Sequence, residues 1–490
     1  MNVKPIKEKL KETRFRRISS GLLKGPIKTG WGLAIIAVMI LVGFLTCSKK
    51  NAEKWSPPQV IKVDTGQALA NLHRTIYCEP YRKNQVTGML AREGDLLLED
   101  NFLFPYRESD GQAFSLKIED SCRLRLGKKI ISLILNEKGW EWLEKASDED
   151  IASLRILCFD DIYFDDIIEE SRLPLLKKIA QKNPNIGLSF DYEDSDSRII
   201  SLFKPEVLSN IDEESLMKAL PYLQNVQFLW VMFTNASILE KLSDLPKLRT
   251  LRLNLNKNSP RLVFPPGDKL KHLESLSVIV PESDKIGDIS GIGDLKQLKE
   301  LVLLSEGIDN LEFLAALTEL RTLSLNSCEN LKDISFLKKL TKLTWLGFPA
   351  NISQENFNTV LNEHPALQVV ELMACKNITD LNALTQLPDL KAVIIGGDTS
   401  ANIEVLEKIK GLQLLALPKD EFEGGPSENV KKLEKALPGC IIVEGGTACM
   451  GSGWILLLFP GVFLALLISR KLRKTLTSGG PAGGQTFEKI

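Results

Sequence analysis

Two segments of the chain share one pattern of apolar residues: LRTLSLNSCENLKDISFLKKL at 320–340 and LQVVELMACKNITDLNALTQL at 367–387. Each begins with leucine, carries apolar residues three and five positions later, and has a cysteine eight positions later. Residues two positions apart point to the same side of an extended strand. The pattern therefore predicts a short strand that turns two neighbouring apolar side chains into a core.

The pattern recurs along the sequence at intervals of 22 to 25 residues. The leading residue is leucine at positions 223, 248, 273, 298, 320, 343, 367, 390 and 412, with a tenth copy predicted at Leu437, Cys440 and Ile442. Three positions later stand Val226, Leu251, Leu276, Leu301, Leu323, Leu346, Val370, Val393 and Leu415. Five positions later stand Phe228, Leu253, Val278, Leu303, Leu325, Phe348, Leu372, Ile395 and Leu417. One such coil cannot bury its own apolar face, so the period predicts stacked coils.

Over residues 220–443 this pattern resembles the leucine-rich-repeat family, especially its bacterial internalin-like class. An Ile/Leu-x-Asp/Asn-Ile/Leu element of that class recurs here around Asp288, Asn310, Asp333 and Asp380. The resemblance implies an α/β solenoid shaped as a horseshoe, with a parallel β-sheet on the concave face and short helices or loops on the convex face. It also implies a ladder of Asn or Cys eight residues after the leading leucine. We therefore expect Cys328 and Cys375 to be buried, and Asn351 to point inward.

Charge is distributed unevenly along the 490 residues, although 62 basic and 63 acidic residues give a net charge of only −1. Residues 1–28 carry a net +7 and residues 470–490 a net +4, which leaves −12 between them. A surface of that charge repels phosphate, so we expect no nucleic-acid partner.

Two long uncharged stretches separate these blocks: 20 residues at 29–48 and 25 residues at 445–469. A helix of about 20 apolar residues spans a bilayer, so both are predicted to be transmembrane helices, the first as a signal anchor. Positive residues stay cytoplasmic, which predicts cytoplasmic segments at 1–28 and 470–490 and a periplasmic or extracellular region at about 49–444. The alternatives are a cleaved signal, lipidation of Cys47, or a sorting signal at the second span.

The region between the first span and the repeats divides into a stalk at 49–84 and a capping region at 85–219. Apolar and polar residues alternate from 85 to 140, which predicts short strands that either shield the first coil or form a separate small β domain. Ile151, Leu154, Leu157 and Phe159 fit the repeat pattern and predict an irregular coil. Three cysteines, at positions 78, 122 and 158, remain as candidates for a disulfide of undetermined pairing.

Motifs for catalysis or for metal binding do not emerge from the sequence. The three histidines, His73, His272 and His364, have no partners at metal-ligand spacing, and His364 takes the place of a core leucine. The usual short motifs for hydrolysis, phosphate binding and zinc binding are absent from the sequence. We therefore expect no cofactor, no metal, no small-molecule substrate and no enzymatic activity.

Function is therefore expected on the concave face, formed by the side chains that flank the inward-pointing pair of each strand. From the coil of Glu300 onward these side chains become apolar. We predict a protein-binding site there, with Trp345 as its solvent-exposed anchor. The predicted site residues are Arg252, Val302, Leu304, Trp345, Val369, Glu371, Met373 and Ile394. The alternative is that a terminal loop, or the approach to the second span, covers this patch.

The sequence thus favours a membrane-anchored leucine-rich-repeat protein that binds a protein partner, with a non-enzymatic scaffold, adhesion or recognition role. The alternative is an envelope enzyme with an unrecognised site in residues 85–219 that uses the repeats to recruit its substrate.

Overall fold

In the computed structural model the described residues all belong to the unit Ser56–Ile490. They are residues 59–62, 78–79, 88–91, 96–99, 102–105, 116–119, 123–126, 129–159, 170–190, 196–233, 238–255, 262–264, 270–280, 286–396, 399, 401–422 and 425–445. The segments 1–28, 29–48 and 470–490 lie outside them.

Seven short strands precede the main array among the described residues. They are β1 (Gln59–Lys62), β2 (Cys78–Glu79), β3 (Gly88–Ala91), β4 (Leu96–Glu99), β5 (Phe102–Pro105), β6 (Leu116–Glu119) and β7 (Arg123–Leu126). β1 pairs with β3 in parallel, and β4 pairs with β5 in antiparallel orientation. The alternation at 85–140 therefore correctly predicted short strands.

Among the described residues, 14 strands form one open parallel sheet in the order in which they occur along the sequence. They are β8 (Lys129–Ile134), β9 (Ile156–Phe159), β10 (Gly187–Phe190), β11 (Val207–Asp212), β12 (Phe228–Phe233), β13 (Thr250–Leu255), β14 (Ser275–Ile279), β15 (Glu300–Leu304), β16 (Thr322–Ser324), β17 (Trp345–Gly347), β18 (Val369–Leu372), β19 (Ala392–Ile395), β20 (Leu414–Leu417) and β21 (Ile441–Gly445). The predicted solenoid is confirmed.

Antiparallel strands extend this sheet at both ends. β7 pairs with β8, and β6 pairs with β7, so part of the region upstream of the repeats joins the array directly. At the other end β2 pairs with the last two residues of β21. The parallel sheet also starts well before residue 220, and Ile151, Leu154, Leu157 and Phe159 are buried in the coil of β9.

The leading leucines explain why each coil folds as it does. All nine are at most 4% exposed, as are the residues three and five positions after them. From Leu248 onward, each strand begins two residues after its leucine, so its alternate side chains enter the core of the coil. Burying a leucine-sized side chain contributes about 1.5–3 kcal/mol, which makes these columns the main source of stability.

The first coil departs from the predicted register. The pattern aligned Val226 and Phe228 with Leu251 and Leu253, but Leu229 and Val231 pair with those two leucines. A turn in which the backbone N–H of Val226 donates to the carbonyl of Leu223 delays the strand by three residues. The prediction of the inward-pointing residues was therefore wrong for this coil, although Val226 and Phe228 are fully buried.

Helices form the returning side of the coils. The α-helices are α1 (Glu137–Lys145), α2 (Asp148–Ser153), α3 (Leu173–Lys182), α4 (Ser197–Ile200), α5 (Glu213–Ala219), α6 (Ile238–Leu242), α7 (Gln354–Glu363) and α8 (Glu428–Ala436). The 3₁₀ helices are Glu170–Arg172, Leu220–Tyr222, Ser290–Asp294, Glu312–Ala316, Ser335–Lys339, Asn382–Gln386, Ile403–Lys408 and Lys419–Glu421.

The recurring Asp or Asn of the repeat starts four of the 3₁₀ turns. In each case its side-chain oxygen accepts a hydrogen bond of 2.9 Å from the backbone N–H two residues later; the four residues are Asp288, Asn310, Asp333 and Asp380. A short polar side chain at this position satisfies an N–H that the helix cannot pair internally. The sequence element therefore marks where each coil turns back.

A ladder between neighbouring coils accounts for two of the buried cysteines. Cys328 Sγ donates to the carbonyl of Leu303 at 3.5 Å, and Cys375 Sγ to the carbonyl of Pro349 at 3.6 Å. Burial raises the pKa of both thiols to about 12, so they are unreactive at neutral pH. Asn351, which was expected to point inward, is instead exposed, although its Nδ2 donates to the carbonyl of Glu329.

The remaining cysteines are only partly described. Cys158 is buried on β9, with its Sγ 3.8 Å from Ser132 Oγ. Cys440, expected to be a core thiol, is partly exposed. Cys122 lies outside the described residues. A disulfide among the candidate cysteines stays an open prediction.

In the part of the protein that the structure describes, no helix has both the length and the apolar character needed to cross a bilayer. The predicted span at 29–48 lies outside the described residues, and so does 446–469. Gly445, predicted to be the first residue of the second span, is instead the last residue of β21. A transmembrane helix in this stretch would therefore begin no earlier than residue 446.

Candidate functional site

The concave face consists of two rows of side chains that the strand register brings side by side. The first row contains Thr250, Ser275, Glu300, Thr322, Trp345, Val369, Ala392, Leu414 and Ile441. The second row contains Trp230, Arg252, Ser277, Val302, Ser324, Gly347, Glu371, Ile394, Ala416 and Val443. Neighbouring members are about 4.8 Å apart, the spacing of paired strands.

Six of the eight predicted site residues belong to these rows. Trp345 and Val369 are in the first row, and Arg252, Val302, Glu371 and Ile394 are in the second. Leu304 lies at the end of β15 and Met373 directly follows β18. The eight residues do not form one contiguous patch, since Arg252 is five strands from Glu371.

The apolar half of the face, on β17 to β21, forms a packed cluster. Its buried members are Trp345, Val369, Ala392, Ile394, Leu414, Ala416 and Val443, and Met373 and Ile441 pack against them. This cluster lies on the opposite side of the sheet from the leucine columns, because its members alternate with the inward-pointing residues along each strand.

The expected exposure of Trp345 is not observed: its side chain is 0% exposed. Val302 and Val369 are also fully buried, and Ile394 is 4% exposed. Small neighbours such as Ala392 and Ala416 leave room for the indole within the cluster, so it packs among them instead of projecting from the face. A buried tryptophan needs a partner for its N–H, and Trp345 has one.

That partner is Glu371, which is 5% exposed on β18. Glu371 Oε1 accepts a hydrogen bond of 2.5 Å from Trp345 Nε1. Glu371 Oε2 accepts hydrogen bonds from Asn326 Nδ2 at 2.7 Å and from Ser324 Oγ at 3.2 Å. Hydrogen bonds to a charged acceptor are stronger than neutral ones and offset the cost of burying the carboxylate. The network ties β16, β17 and β18 together, and we call it the Glu371 network.

Gly347 makes this network possible. A Cβ at this position would stand 2.5 Å from Glu371 Oε2, 2.6 Å from Asn326 Oδ1 and 2.8 Å from Ser324 Oγ. Because glycine has no side chain, the Glu371 carboxylate can reach across β17 to its donors on the far side. Position 347 therefore requires glycine because of Glu371, which lies one strand away.

The polar half of the face, on β12 to β16, is organised differently. The guanidinium carbon of Arg252 lies 4.2 Å from the centroid of the Trp230 ring, in the geometry of a cation–π contact. Arg252 is 7% exposed, and its Nε and Nη1 atoms are buried without a hydrogen-bond partner. Burial lowers the pKa of Arg252 to about 9, so the side chain is still cationic at neutral pH.

Several side chains near the ends of the strands are partly exposed. Met232, Asn254, Ile279 and Leu304 are paired in register across β12 to β15, and Met373 lies farther along the same edge. We call Met232, Ile279, Leu304 and Met373 the rim strip. These apolar side chains remain reachable by a partner, whereas the cluster beside them is buried.

Trp230 and Met232 were missed in the sequence because the predicted register of the first coil was wrong. The signal that could have located them is the run FLWVMF at 228–233, whose length and β-branched and aromatic content favour a strand over a turn. Reading the coil from this run would have placed Leu229 and Val231 inward, and Trp230 and Met232 on the concave face.

The described residues contain no group of three or more His, Cys, Asp or Glu side chains that could hold a metal ion. Of the histidines, His272 is exposed and His364 is 2% exposed in its core position, while His73 lies outside the described residues. Burial lowers the pKa of His364, and the nearby Glu363 opposes this shift. No described feature of residues 85–219 favours the enzyme alternative over the binding hypothesis.

No protein-family model matches this protein, and neither does any curated protein. Solved structures do match it. An internalin of Listeria monocytogenes is 17% identical with a TM-score of 0.34, over 62% of this chain and 92% of that one. Internalin C2 of the same organism is 22% identical with a TM-score of 0.31, over 40% of this chain and 83% of that one.

The structure of TLR13 in a complex with ssRNA13 is 16% identical with a TM-score of 0.34, over 64% of this chain and 54% of that one. At these identities and TM-scores, the fold assignment rests on the leucine columns and the parallel sheet of the protein itself.

Proposed function

We propose that this protein is a non-enzymatic binding protein that takes up a protein partner along the concave face of its repeat array. The observation that carries the proposal is the rim strip: four apolar side chains stay partly exposed at the edge of the sheet, beside an apolar cluster whose central members are buried. Partly exposed methionine and aliphatic side chains beside a rigid, well-packed base are typical of protein interfaces.

The eight residues predicted from the sequence divide into two roles under this proposal. Leu304 and Met373 contact the partner directly, because their side chains are partly exposed. Trp345, Glu371, Val302, Val369 and Ile394 form the rigid base under the strip, and Arg252 marks its polar end. A rigid base lowers the entropic cost of ordering the contact residues when the partner binds.

Site-specific crosslinking tests this proposal. A photoreactive amino acid at position 304 or 373 of the full-length protein should capture one defined partner in native membranes, and Met373→Asp should abolish capture from position 304. The matched control is Met217, which is 39% exposed on α5 and off the concave face. A photoreactive amino acid at position 217 should not capture this partner, and Met217→Asp should leave capture from position 304 unchanged. Equal capture from positions 217 and 304, or capture that survives Met373→Asp, would refute the proposal.

We further propose that the protein is anchored in a membrane at both ends, with its termini in the cytoplasm and the repeats on the other side. The support is the 20 uncharged residues at 29–48, the 24 at 446–469, and the basic segments that border them. Double anchoring would hold the array close to the bilayer and suits a scaffold for other envelope proteins.

Protease protection tests the topology. In sealed vesicles with the outer face exposed, added protease should digest the repeats and leave epitope tags at both termini intact. Digestion of either tag, or release of the protein from membranes by carbonate, would contradict the double anchor. Mass spectrometry of the mature termini would separate this topology from a cleaved signal, a lipidated Cys47 or a sorting signal.

A further inference from the structure

Arg252 is a buried cation in the polar half of the concave face. It is 7% exposed, and burial alone accounts for its lowered pKa, with no contribution from a described carboxylate. Its Nε and Nη1 atoms have no hydrogen-bond partner, and its contact with the Trp230 ring offers no acceptor. Buried charges in folded proteins are normally paired and hydrogen-bonded, because desolvation without compensation is costly.

The side chains around Arg252 add further unpaired donors. Strand register places Trp230 on one side of Arg252 and Ser277 on the other, each one strand away. Trp230 Nε1, Ser277 Oγ and Ser275 Oγ are buried without a hydrogen-bond partner. An indole N–H donates only, and a hydroxyl can donate as well as accept. Three neighbouring strands therefore each contribute a buried donor that lacks an acceptor.

The location is open to an incoming group. Trp230 lies next to Arg252 on the neighbouring strand, and Asn254 lies two residues after Arg252 on the same strand. Both side chains are partly exposed. Burial is the cause of the lowered pKa of Arg252, which at about 9 leaves the side chain cationic at neutral pH. Arg252 is therefore a buried cation with a partly exposed side chain on either side of it.

The charge of the rest of the molecule limits which anion can enter. The region between the two basic ends carries a net charge of −12, which repels a polyanion such as a nucleic acid. A group with a single negative charge is repelled far less than a polyanion, because only one charge enters the field of the acidic region. It can still accept hydrogen bonds from the donors around Arg252. The planar guanidinium matches the two oxygens of a carboxylate.

We propose that Trp230, Arg252 and Ser277 form a receptor for one carboxylate group of the protein partner, supplied by an acidic side chain or by the partner's carboxyl terminus. This inference rests on the proposed function and names the chemistry that the partner must bring to the polar half of the face. The carboxylate accepts from the guanidinium, with the indole N–H and the Ser277 hydroxyl as flanking donors, so binding satisfies groups that are otherwise unpaired.

Small carboxylates test the receptor on the full-length protein in detergent, at constant ionic strength set with sodium chloride. N-acetylalanine carries a terminal α-carboxylate, and N-acetylaspartate methylamide carries a carboxylate on its side chain. One or both should raise Tm saturably, by about 2 °C or more, and the more effective one identifies the source. Acetamide, which has the shape of acetate without its charge, should have no effect.

The substitution Arg252→Met tests whether Arg252 binds a carboxylate or only stabilises the fold. Methionine keeps an apolar stem but removes the unpaired charge, so Tm without probe should stay the same or rise, while the response to carboxylates is lost. Arg249→Met is the matched control, because Arg249 is partly exposed outside both rows and donates to the carbonyl of His272. That variant should keep the full carboxylate response.

Four results would overturn the receptor: no rise in Tm with either carboxylate, a lower Tm for Arg252→Met, the same carboxylate response in that variant and the wild type, or a larger response to inorganic phosphate than to either carboxylate. The crosslinking result is independent of these. Capture at position 304 without a carboxylate response would leave the binding face intact and remove the receptor alone.

Discussion

The two halves of the concave face use the same strand positions for opposite chemistry. On β13 to β16 the rows hold Ser275, Ser277, Thr322 and other polar side chains, whereas on β17 to β21 they hold a packed apolar cluster. The leucine columns beneath both halves are equally buried. The fold is therefore set by the columns, and the concave face is free to differ from one half to the other.

The difference lies in how polar groups are satisfied. In the apolar half, the buried Glu371 carboxylate accepts from Trp345, Asn326 and Ser324. In the polar half, atoms of Arg252 and Ser277 are buried without a partner. Most buried polar groups in folded proteins are paired, so a cluster of unpaired ones calls for an explanation. We infer that the buried Glu371 carboxylate is satisfied within the protein, whereas Arg252 and Ser277 are paired only when a partner binds.

The largest effect is expected from removing the centre of the Glu371 network. Glu371→Ala strips three donors of their acceptor and leaves a cavity beside Trp345, which should lower the free energy of unfolding by about 3–4 kcal/mol. Glu371→Gln, which keeps one acceptor oxygen, should cost about half as much. Urea unfolding of the full-length protein measures both. A loss below about 1 kcal/mol for Glu371→Ala would show that the network is not structural.

A smaller loss is expected from filling the space at Gly347. The added methyl group of Gly347→Ala meets the Glu371 carboxylate and its donors, so we expect a cost of about 2 kcal/mol. In a Glu371→Ala background the same substitution should be nearly neutral, because the carboxylate is gone. A double-mutant cycle measures this coupling. Additive effects would mean that Gly347 is required for some other reason than Glu371.

Two serines in the second row compare a paired hydroxyl with an unpaired one. Ser324→Ala removes a hydrogen bond to Glu371 and should cost about 1 kcal/mol. Ser277→Ala removes a hydroxyl that has no partner and should be neutral or slightly stabilising. The two serines are buried to a similar extent, at 3% and 2% exposure. Equal losses on urea unfolding would show that the hydrogen bond to Glu371 does not distinguish the two hydroxyls.

The smallest effect concerns His364, which occupies a leucine position beneath the apolar half. Burial lowers its pKa from the ordinary 6.5, so below about pH 6.5 the unfolded state binds the proton more readily than the folded state. Stability should therefore fall as the pH decreases from 6.5. His364→Leu should flatten this dependence and raise stability at neutral pH by about 1 kcal/mol. Identical pH profiles of Tm for both proteins would contradict this expectation.

The leucine period was sufficient to predict most of the fold. Apolar residues that recur every 22 to 25 positions can all be buried when the coils stack and their strands run parallel. The recurring Asp or Asn also marked the turns correctly at Asp288 and Asp333, because a cap acts on the backbone two residues away. Local signals of this kind are readable without knowing the neighbours of a coil.

The first coil and the concave face were less predictable. The strand register at Trp230 depends on pairing with β13, which the repeat count missed by three residues. Trp345 was expected to be exposed because alternation places it on the concave face, but alternation does not say how side chains pack within that face. Its burial depends on residues 24 to 98 positions away, from Val369 to Val443.

The sequence by itself thus determined a solenoid of leucine-rich coils, the identity of its core columns and the side of the sheet on which each strand residue lies. These follow from the strand period of two and from the need of each coil for a neighbour. Only the tertiary structure decided which concave side chains are buried, which are satisfied and which are left without partners. Those properties depend on contacts between coils, which arise where strands about 20 or more residues apart meet at a spacing of about 4.8 Å.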